Sequence, residues 1–435
     1  MFNSYPYSFT AFYTTNKMKR SKNKTNKFKN FFKILGPGLI TGASDDDPSG
    51  IATYSQAGAQ FGLATLWTAL ITFPLMAAIQ GMCARIGLVT REGLTRTLRI
   101  HYPKYILYLM MIFSFPAITL NIGSDIQGMG AVANMLVPQV PVFIFCLFFS
   151  AILIYIIIKF PYQKIARILK WLCISLFLYV AIPFLVKQDW TEVLKRTIIP
   201  TIQFNKDFFS ILVAILGTTI SPYLFFWQTT MEAEDVTHKK VMVNKRMLSD
   251  MKDDVNAGMF FSNLVMFFII LATGVVLHAH GVKQIDTVEQ AAKALEPIAG
   301  KFAYLLFALG VIGTGFLAIP VLAGSLSYIL AETFGWQKGL DKKFYQAKGF
   351  YITGIISILI GLALNFAGVS PVQSLIYTAV LYGLTAPVMI AIIMHISNNK
   401  TIMGKFTNHP LSNILGFITL LLMTVSAIAL IYFQF

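Results

Sequence analysis

Long apolar segments recur along the whole chain, separated by short polar connections. A helix of about 20 apolar residues crosses the roughly 30 Å apolar core of a bilayer, and these segments reach that length. The pattern therefore predicts an all-α membrane protein with about 11 transmembrane helices. The predicted spans are 31–60, 62–89, 104–134, 141–159, 165–186, 207–232, 257–280, 302–331, 346–367, 371–396 and 411–434.

Composition agrees with this class. Of the 435 residues, 56% are hydrophobic and only 12% are charged, whereas soluble domains carry roughly 25% charged residues. The short alternating segments of a transmembrane β-barrel are absent. The three cysteines fall inside apolar spans, a placement that indicates neither a disulfide framework nor a zinc site. We find no nucleotide-binding loop and no convincing catalytic constellation, so the chain is expected not to be an enzyme and to need no cofactor.

The formal net charge of +16 lies in the connections and in the N-terminal tail. Topology and anionic lipids account for charge in those places, so the expected partner is the lipid bilayer and not nucleic acid. Lys and Arg cluster after the even-numbered spans, and the connections after spans 1, 3 and 9 contain neither. This asymmetry predicts a multi-pass protein of the cell membrane with a cytoplasmic N-terminus and an extracellular C-terminus.

Two segments outside the spans have their own character. Residues 1–30 are rich in lysine and are expected to form a disordered, basic cytoplasmic tail. Residues 187–206 are expected to be an extracellular connection that holds an interfacial helix, because Trp190 stands there among mixed charges. Oligomeric state does not follow from the sequence.

The first span is interrupted by Asp45-Asp46-Asp47-Pro48-Ser49-Gly50. Pro48 lacks an N–H and glycine is a poor helix former, so a continuous helix is expected to break here. Asp47 lies roughly 20–25 Å along the helix from Phe31, inside the bilayer. Charge at that depth costs several kcal/mol unless it faces water, protein or an ion. The alternative, a loop between two short helices of a soluble protein, conflicts with the rest of the chain.

A second interruption lies in span 6, at Gly217-Thr218-Thr219-Ile220-Ser221-Pro222. Alone, a proline in the middle of a span is more often a simple kink. Two breaks five spans apart instead indicate two inverted five-helix repeats, 31–186 and 207–396, followed by an extra helix at 411–434. Carbonyl groups freed at half-helix ends can hold a cation, and oxygen ligands suit hard divalent ions.

With these two breaks in view, the chain resembles the NRAMP family of divalent metal transporters, which have the LeuT fold. Three motifs carry the resemblance: Gly36-Pro37-Gly38, then Asp47-Pro48-Ser49-Gly50 where the family has Asp-Pro-Gly-Asn, then Gly217-Thr218-Thr219-Ile220-Ser221-Pro222-Tyr223 where the family has Gly-Ala-Thr-Val-Met-Pro-His. Asn399-Lys400, Met403-Gly404 and Asn408 resemble the motif after helix 10. The resemblance implies alternating-access uptake of manganese or iron, with Asp47 as the metal-binding aspartate.

The departures from the family pattern bear on the choice of ion. The family's asparagine is Gly50 here, its helix 6 methionine is Ser221, and its helix 10 glutamine corresponds to Ala379 or Val380. A thioether favours soft transition metals, and a hydroxyl does not. We therefore expect manganese or magnesium to be favoured over softer ions, since magnesium keeps several waters and needs only one or two carboxylates.

The candidate site residues fall into three groups. The expected metal site comprises Asp46, Asp47, Gly50, Thr218 and Ser221. Residues expected to act through water or to line a vestibule are Asp45, Ser49, Thr53, Thr219, Tyr223 and Gln228. Asp45 and Asp46 have two interpretations, added negative field at the site or a solvated vestibule, and both stay open.

Proton coupling depends on a different part of the sequence. Tyr223 and Gln228 stand where the family has histidines, and neither titrates near neutral pH. Asp125 in span 3 fits the family's buried aspartate on the proton route, and an intramembrane carboxylate is by default functional. Two alternative functions remain at this stage: an amino-acid or amine transporter of the same fold, and a metal sensor that retains the fold without transport.

Overall fold

The computed structural model describes residues 36–160, 176, 178–239, 243–340, 342–363, 366 and 368–434. The predicted tail at 1–30 and most of predicted span 5 lie outside the described residues, as does Cys173. All regular elements in the described ranges are helical.

The first half of the described chain holds eight α-helices. In chain order they are α1 (Pro37–Asp45), α2 (Pro48–Phe61), α3 (Trp67–Thr90), α4 (Leu94–His101), α5 (Lys104–Leu136), α6 (Val142–Lys159), α7 (Leu178–Leu185) and α8 (Trp190–Ile198).

The second half begins with another broken helix. Its α-helices are α9 (Lys206–Thr219), α10 (Pro222–Lys239), α11 (Lys245–Val276), α12 (Val288–Ala292), α13 (Glu296–Ala299), α14 (Ala303–Phe334), α15 (Lys348–Ala363), α16 (Pro371–Asn398), α17 (Lys400–Met403) and α18 (Pro410–Gln434). Short 3₁₀ turns occur at His278–His280, Lys293–Leu295, Gly300–Phe302 and Gly404–Phe406.

Within the described residues, 8 helical segments are long and apolar enough to cross a membrane, with α9 and α10 counted as one, and α15 is a shorter apolar helix. The prediction of a multi-pass all-α membrane protein is thereby confirmed. The count of 11 stays a prediction, because α1 and α2 are individually too short to qualify and span 5 is only partly described.

Both predicted breaks are present. The chain leaves the helix at Asp46, with φ −82° and ψ 52°, and at Ile220, with φ −109° and ψ 57°. In each case a proline, Pro48 or Pro222, then begins the next helix. Proline is suited to the first helical position because its missing N–H would be unpaired there in any case. The two breaks therefore share one local design, a two-residue interruption closed by proline.

Packing fixes the first break against several other helices. Both α1 and α2 pack on α11, while α2 also contacts α5 and α9. Helix α1 approaches α11 so closely that a Cβ added to Gly42 would lie 2.2 Å from the carbonyl oxygen of Gly258. Glycine at both positions lets the two backbones touch. This contact places the three successive aspartates between α11 and α5.

The connections contain more helix than the sequence pattern predicted. Helix α4 occupies the basic connection after span 2 and buries Leu94 and Leu98. Helix α8 lies inside the 187–206 connection, where Asp189 caps its N-terminus by accepting from the N–H of Thr191 at 2.8 Å.

Candidate ion-binding site at the helix breaks

Asp47 caps the N-terminus of α2. Its Oδ1 accepts hydrogen bonds from the N–H of Gly50 and from Oγ of Ser49, both at 2.8 Å. An N-cap carboxylate satisfies one of the N–H groups that a helix leaves unpaired at its start. Oδ2 accepts from Nδ2 of Asn121 in α5 at 2.9 Å. The side chain is buried, with an exposed fraction of 2%, so local sequence and a distant helix together fix this carboxylate.

Helix α5 brings two polar side chains to this point. Asn121 and Asp125 are four residues apart and therefore share one helix face. Both are fully buried, and neither oxygen of Asp125 nor Oδ1 of Asn121 makes a hydrogen bond to any described residue. The Asp125 carboxylate lies close to Asp47 and to the backbone of Ser49.

A tyrosine from α16 completes this side of the site. The hydroxyl of Tyr382 is buried without a hydrogen bond to the described part of the chain. This hydroxyl lies near Asp47, Asp125 and Asn121. The ring centroids of Tyr382 and Tyr223 are 5.9 Å apart. The sequence analysis missed both Asn121 and Tyr382. Asn121 could have been found from its spacing to Asp125, whereas nothing in the sequence marks Tyr382.

Asp45 and Asp46 face the opposite side of the break. Ser262 in α11 donates a hydrogen bond to Oδ2 of Asp45 at 2.7 Å and lies 3.4 Å from Oδ1 of Asp46. Both aspartates are buried. The three consecutive carboxylates therefore separate into two groups, one directed at α11 and one at α5.

The residues at the second break, between α9 and α10, make contacts of several kinds. The hydroxyl of Thr218 lies 3.5 Å from that of Ser49, directly across from the first break. Ser221, expected to be a ligand, instead donates its hydroxyl to the carbonyl oxygens of Thr218 and Gly217. Thr219 pairs with the hydroxyl of Tyr54 at 3.1 Å. The structure thus brings Thr218 to the Asp47 group and turns the Ser221 hydroxyl onto its own chain.

The remaining predicted residues lie at other contacts. Tyr223 donates its hydroxyl to the carbonyl oxygen of Ser44 at 2.7 Å and so ties α10 to the end of α1. Gln228 bonds Thr41 and Glu232, which links the same two helices at a different place. Thr53 is buried, and its hydroxyl has no hydrogen bond within the described ranges.

The electrostatics of this region are unbalanced. Four carboxylates are buried around one break: those of Asp45, Asp46, Asp47 and Asp125. Among the described residues, no Lys or Arg forms an ion pair with any of them. Buried carboxylates without a cationic partner are strongly disfavoured unless they bind a proton or a cation.

The ligand set available to a cation is mixed. In the described part of the chain, no three His, Cys, Asp or Glu side chains are arranged to hold a metal ion. A cation beside Asp47 would therefore also need amide, hydroxyl or carbonyl oxygens. The nearby oxygens of Asn121, Ser49, Thr218 and Tyr382 are of this kind, and hard cations accept them.

Two facing helix interruptions, five predicted spans apart and flanked by buried polar groups, are typical of secondary transporters built on inverted repeats. The chain belongs to the family described as natural resistance-associated macrophage protein-like, whose model matches residues 38–433. The resemblance noted from the sequence motifs is thereby confirmed, and so is the expectation of a membrane transporter and not an enzyme.

Curated relatives cover most of the chain at low identity. The divalent metal cation transporter MntH of Caldanaerobacter subterraneus subsp. tengcongensis is 24% identical over 398 residues, which are 90% of each chain. The metal transporter Nramp3 of Oryza sativa subsp. japonica is 23% identical and covers 88% of this chain and 70% of its own length.

Solved structures share the fold. A manganese transporter of Eremococcus coleocola superposes with a TM-score of 0.72 at 17% identity, covering 97% of this chain and 90% of its own. MhsT in complex with L-phenylalanine superposes with a TM-score of 0.59 at 13% identity, covering 91% of this chain and 97% of its own. At these identities the likeness establishes the fold alone.

Proposed function

We propose that this protein moves a divalent metal cation across the membrane by alternating access, through a site at the two helix breaks. The observation that carries the proposal is the set of four buried carboxylates with no described basic partner at the first break. A doubly charged cation supplies the missing charge. The names of the relatives, a divalent metal cation transporter and a manganese transporter, support the same assignment.

The chemistry of the nearest side chains favours a hard ion. The polar side chains around Asp47 carry amide and hydroxyl groups: Asn121 and Ser49 bond it directly, and Thr218 lies next to Ser49. Oxygen ligands suit manganese and magnesium, whereas thiolates and thioethers select softer metals. At the second break the chain has Ser221 where the family has methionine. We therefore propose manganese or magnesium as the substrate, ahead of cadmium.

Asp125 is the proposed proton carrier if transport is coupled to protons. It lies in α5 beside Asp47, buried and without a hydrogen bond to the described residues. A carboxylate in that position can exchange a proton when the neighbouring site gains or loses a cation. The proposed orientation keeps the N-terminus in the cytoplasm, with the 187–206 connection and the C-terminus outside.

The test uses purified protein in liposomes that contain a pH-sensitive dye. Uptake of Mn²⁺, Mg²⁺ and Cd²⁺ is measured for the wild type, for Asp47→Asn and for Asp286→Asn. Asparagine caps helices about as well as aspartate, so Asp47→Asn keeps the half-helix start while it removes the charge and the oxygen that accepts from Asn121. Asp286 is exposed in a loop and serves as the matched control.

We expect Asp47→Asn to lose nearly all divalent flux and Asp286→Asn to retain it. Acidification of the lumen together with uptake would support proton coupling, and its absence would leave a uniporter. Wild-type flux in Asp47→Asn would reject the site. Uptake of L-leucine with no metal flux in the wild type would favour an amino-acid transporter instead.

A further inference from the structure

The unpaired oxygens of the site are concentrated on one side of the first break. Oδ1 of Asn121, both oxygens of Asp125 and the hydroxyl of Tyr382 are buried, and none makes a hydrogen bond of ordinary geometry to a described residue. All three side chains neighbour Asp47, while the Tyr382 hydroxyl lies beside the Asn121 amide and the Asp125 carboxylate lies beside the backbone of Ser49. Buried polar atoms are nearly always paired, and a cation beside Asp47 would satisfy several of these oxygens at once.

We propose that Asn121 of α5 is the amide ligand of the transported cation, so that the ion lies between the first break and α5. This inference rests on the proposed function. It adds a ligand from a helix that the sequence motifs do not include. The residues at the second break, between α9 and α10, then contribute less to binding.

The orientation of the Asn121 amide supports this role. Its Nδ2 donates to Oδ2 of Asp47 at 2.9 Å, which leaves Oδ1 as the unpaired atom. An amide oxygen held beside a carboxylate is a suitable ligand for a hard divalent cation. The hydrogen bond fixes the side chain before the ion arrives, and such fixing lowers the entropic cost of binding.

The departures from the family motif agree with the proposal. The asparagine that the family places three residues after the aspartate is Gly50 here, and a glycine offers no side-chain ligand. Asn121 supplies an amide to the same carboxylate from another helix. The Ser221 hydroxyl donates its proton to the carbonyl oxygens of Gly217 and Thr218, so it is oriented toward the end of α9.

A purely structural role for Asn121 is the competing explanation, and the chain offers a matched control. Asn263 in α11 is also a buried asparagine in a membrane helix, but its amide is fully engaged. Its Nδ2 contacts the carbonyl oxygen of Met259 and the sulfur of Met76, and its Oδ1 accepts from Thr72. Asn263 is therefore expected to matter for packing and not for the ion.

The experiment measures Mn²⁺ binding to the detergent-purified full chain by calorimetry and Mn²⁺ uptake in liposomes. The variants are Asn121→Ala, Asn121→Asp, Asn263→Ala, Asp47→Asn and the double variant Gly50→Asn with Asn121→Ala. A Cβ on Gly50 would lie 3.3 Å from the carbonyl oxygen of Asp45 and 3.4 Å from Oγ1 of Thr218. These contacts are tight, and small shifts of the neighbours accommodate them.

We expect Asn121→Ala to weaken Mn²⁺ binding and raise the half-saturating concentration for uptake by about 10- to 100-fold, the usual cost of losing a group that binds or orients at a metal site. Asn121→Asp keeps an oxygen ligand and adds a charge that attracts the cation, but it loses the Nδ2 donor to Asp47. It is therefore expected to bind within about tenfold of the wild type. The double variant is expected to recover part of the lost affinity. Asn263→Ala is expected to lower thermal stability with an unchanged dissociation constant.

Three results would overturn the inference. Asn121→Ala with wild-type affinity while Asp47→Asn loses binding would remove Asn121 and leave the proposed function standing. If Asn121→Ala fails to fold, an affinity more than about tenfold weaker in a folded Asn121→Asp would count against an oxygen ligand at this position. Absence of Mn²⁺ and Mg²⁺ binding in the wild type would reject the proposed function, and the ligand with it.

Discussion

Asp254 holds the start of α1 from the neighbouring helix α11. Its carboxylate accepts from the N–H groups of Gly36 and Gly38, each at 2.7 Å, and from that of Leu39 at 3.3 Å. The first N–H groups of a helix have no partner within the helix. A carboxylate there also interacts favourably with the positive end of the helix dipole. One residue of α11 thus supplies the cap that the sequence before α1 does not, because Gly36 has no side chain to cap with.

The change Asp254→Ala removes all three acceptors at once. Replacing a capping side chain by alanine costs about 0.5–2 kcal/mol, and hydrogen bonds to charged groups make a net contribution of about 1.5–3 kcal/mol each. Because two of the three amides are only partly buried, water recovers part of the loss. We expect the loss of the three hydrogen bonds to cost about 2–4 kcal/mol in total. This corresponds to a roughly 30- to 1000-fold higher population of the state in which the start of α1 is open.

Hydrogen–deuterium exchange of the purified protein measures this population directly. We expect amides in the first turn of α1 to exchange faster in Asp254→Ala by that factor, while amides in α3 are unchanged. The matched control is Asp253→Ala, since Asp253 is the preceding residue of α11 and points to solvent. Equal exchange in Asp254→Ala and the wild type would show that the three hydrogen bonds do not stabilise the helix start. Equal acceleration in Asp253→Ala would show that the effect is one of net charge.

Two further changes test the packing and the ion selectivity of the site. Gly42→Ala places a Cβ 2.2 Å from the carbonyl oxygen of Gly258, whereas Gly81→Ala meets nothing within 4 Å. The first is expected to lower stability by about 1–3 kcal/mol in thermal unfolding and the second to leave it unchanged or raised; equal melting temperatures would refute the close contact between α1 and α11. Ser221→Met adds a thioether at the second break and is expected to raise Cd²⁺ uptake relative to Mg²⁺ by about an order of magnitude. Uptake ratios that stay at the wild-type value would argue against the second break as a determinant of selectivity.

The breaks were predictable because their causes are local. Pro48 and Pro222 each remove a backbone donor inside an apolar segment, and the polar residues around them have no other explanation at that depth. Their spacing of five spans then indicated that the two breaks are paired. Asp47 followed from the same stretch, since an aspartate directly before a proline is a common helix start.

The directions of the side chains were not predictable, because they depend on tertiary packing. Asp45, Asp46 and Asp47 are consecutive, yet two face α11 and one faces α5. That separation follows from the backbone turn at Asp46, whose dihedral angles no sequence rule specifies. Asn121 was overlooked because a single asparagine in a membrane helix usually serves packing. Its partner Asp47 is 74 residues away in sequence.

The carboxylates at the first break exceed what the fold requires. Asp47 alone caps α2, and one such cap stabilises a helix by about 1 kcal/mol. Asp125 and Oδ1 of Asp45 make no hydrogen bond of ordinary geometry among the described residues, although Asp125 lies beside the backbone of Ser49 at the start of α2. Burying each further charge costs several kcal/mol, so a structure selected for stability alone would not keep them. A cation that enters the site offsets this cost, and the same excess charge lets the empty site attract the next ion. Under the proposed function, the instability of the empty site is the physical basis of binding, and neutral variants of Asp45 or Asp125 should fold at least as well as the wild type.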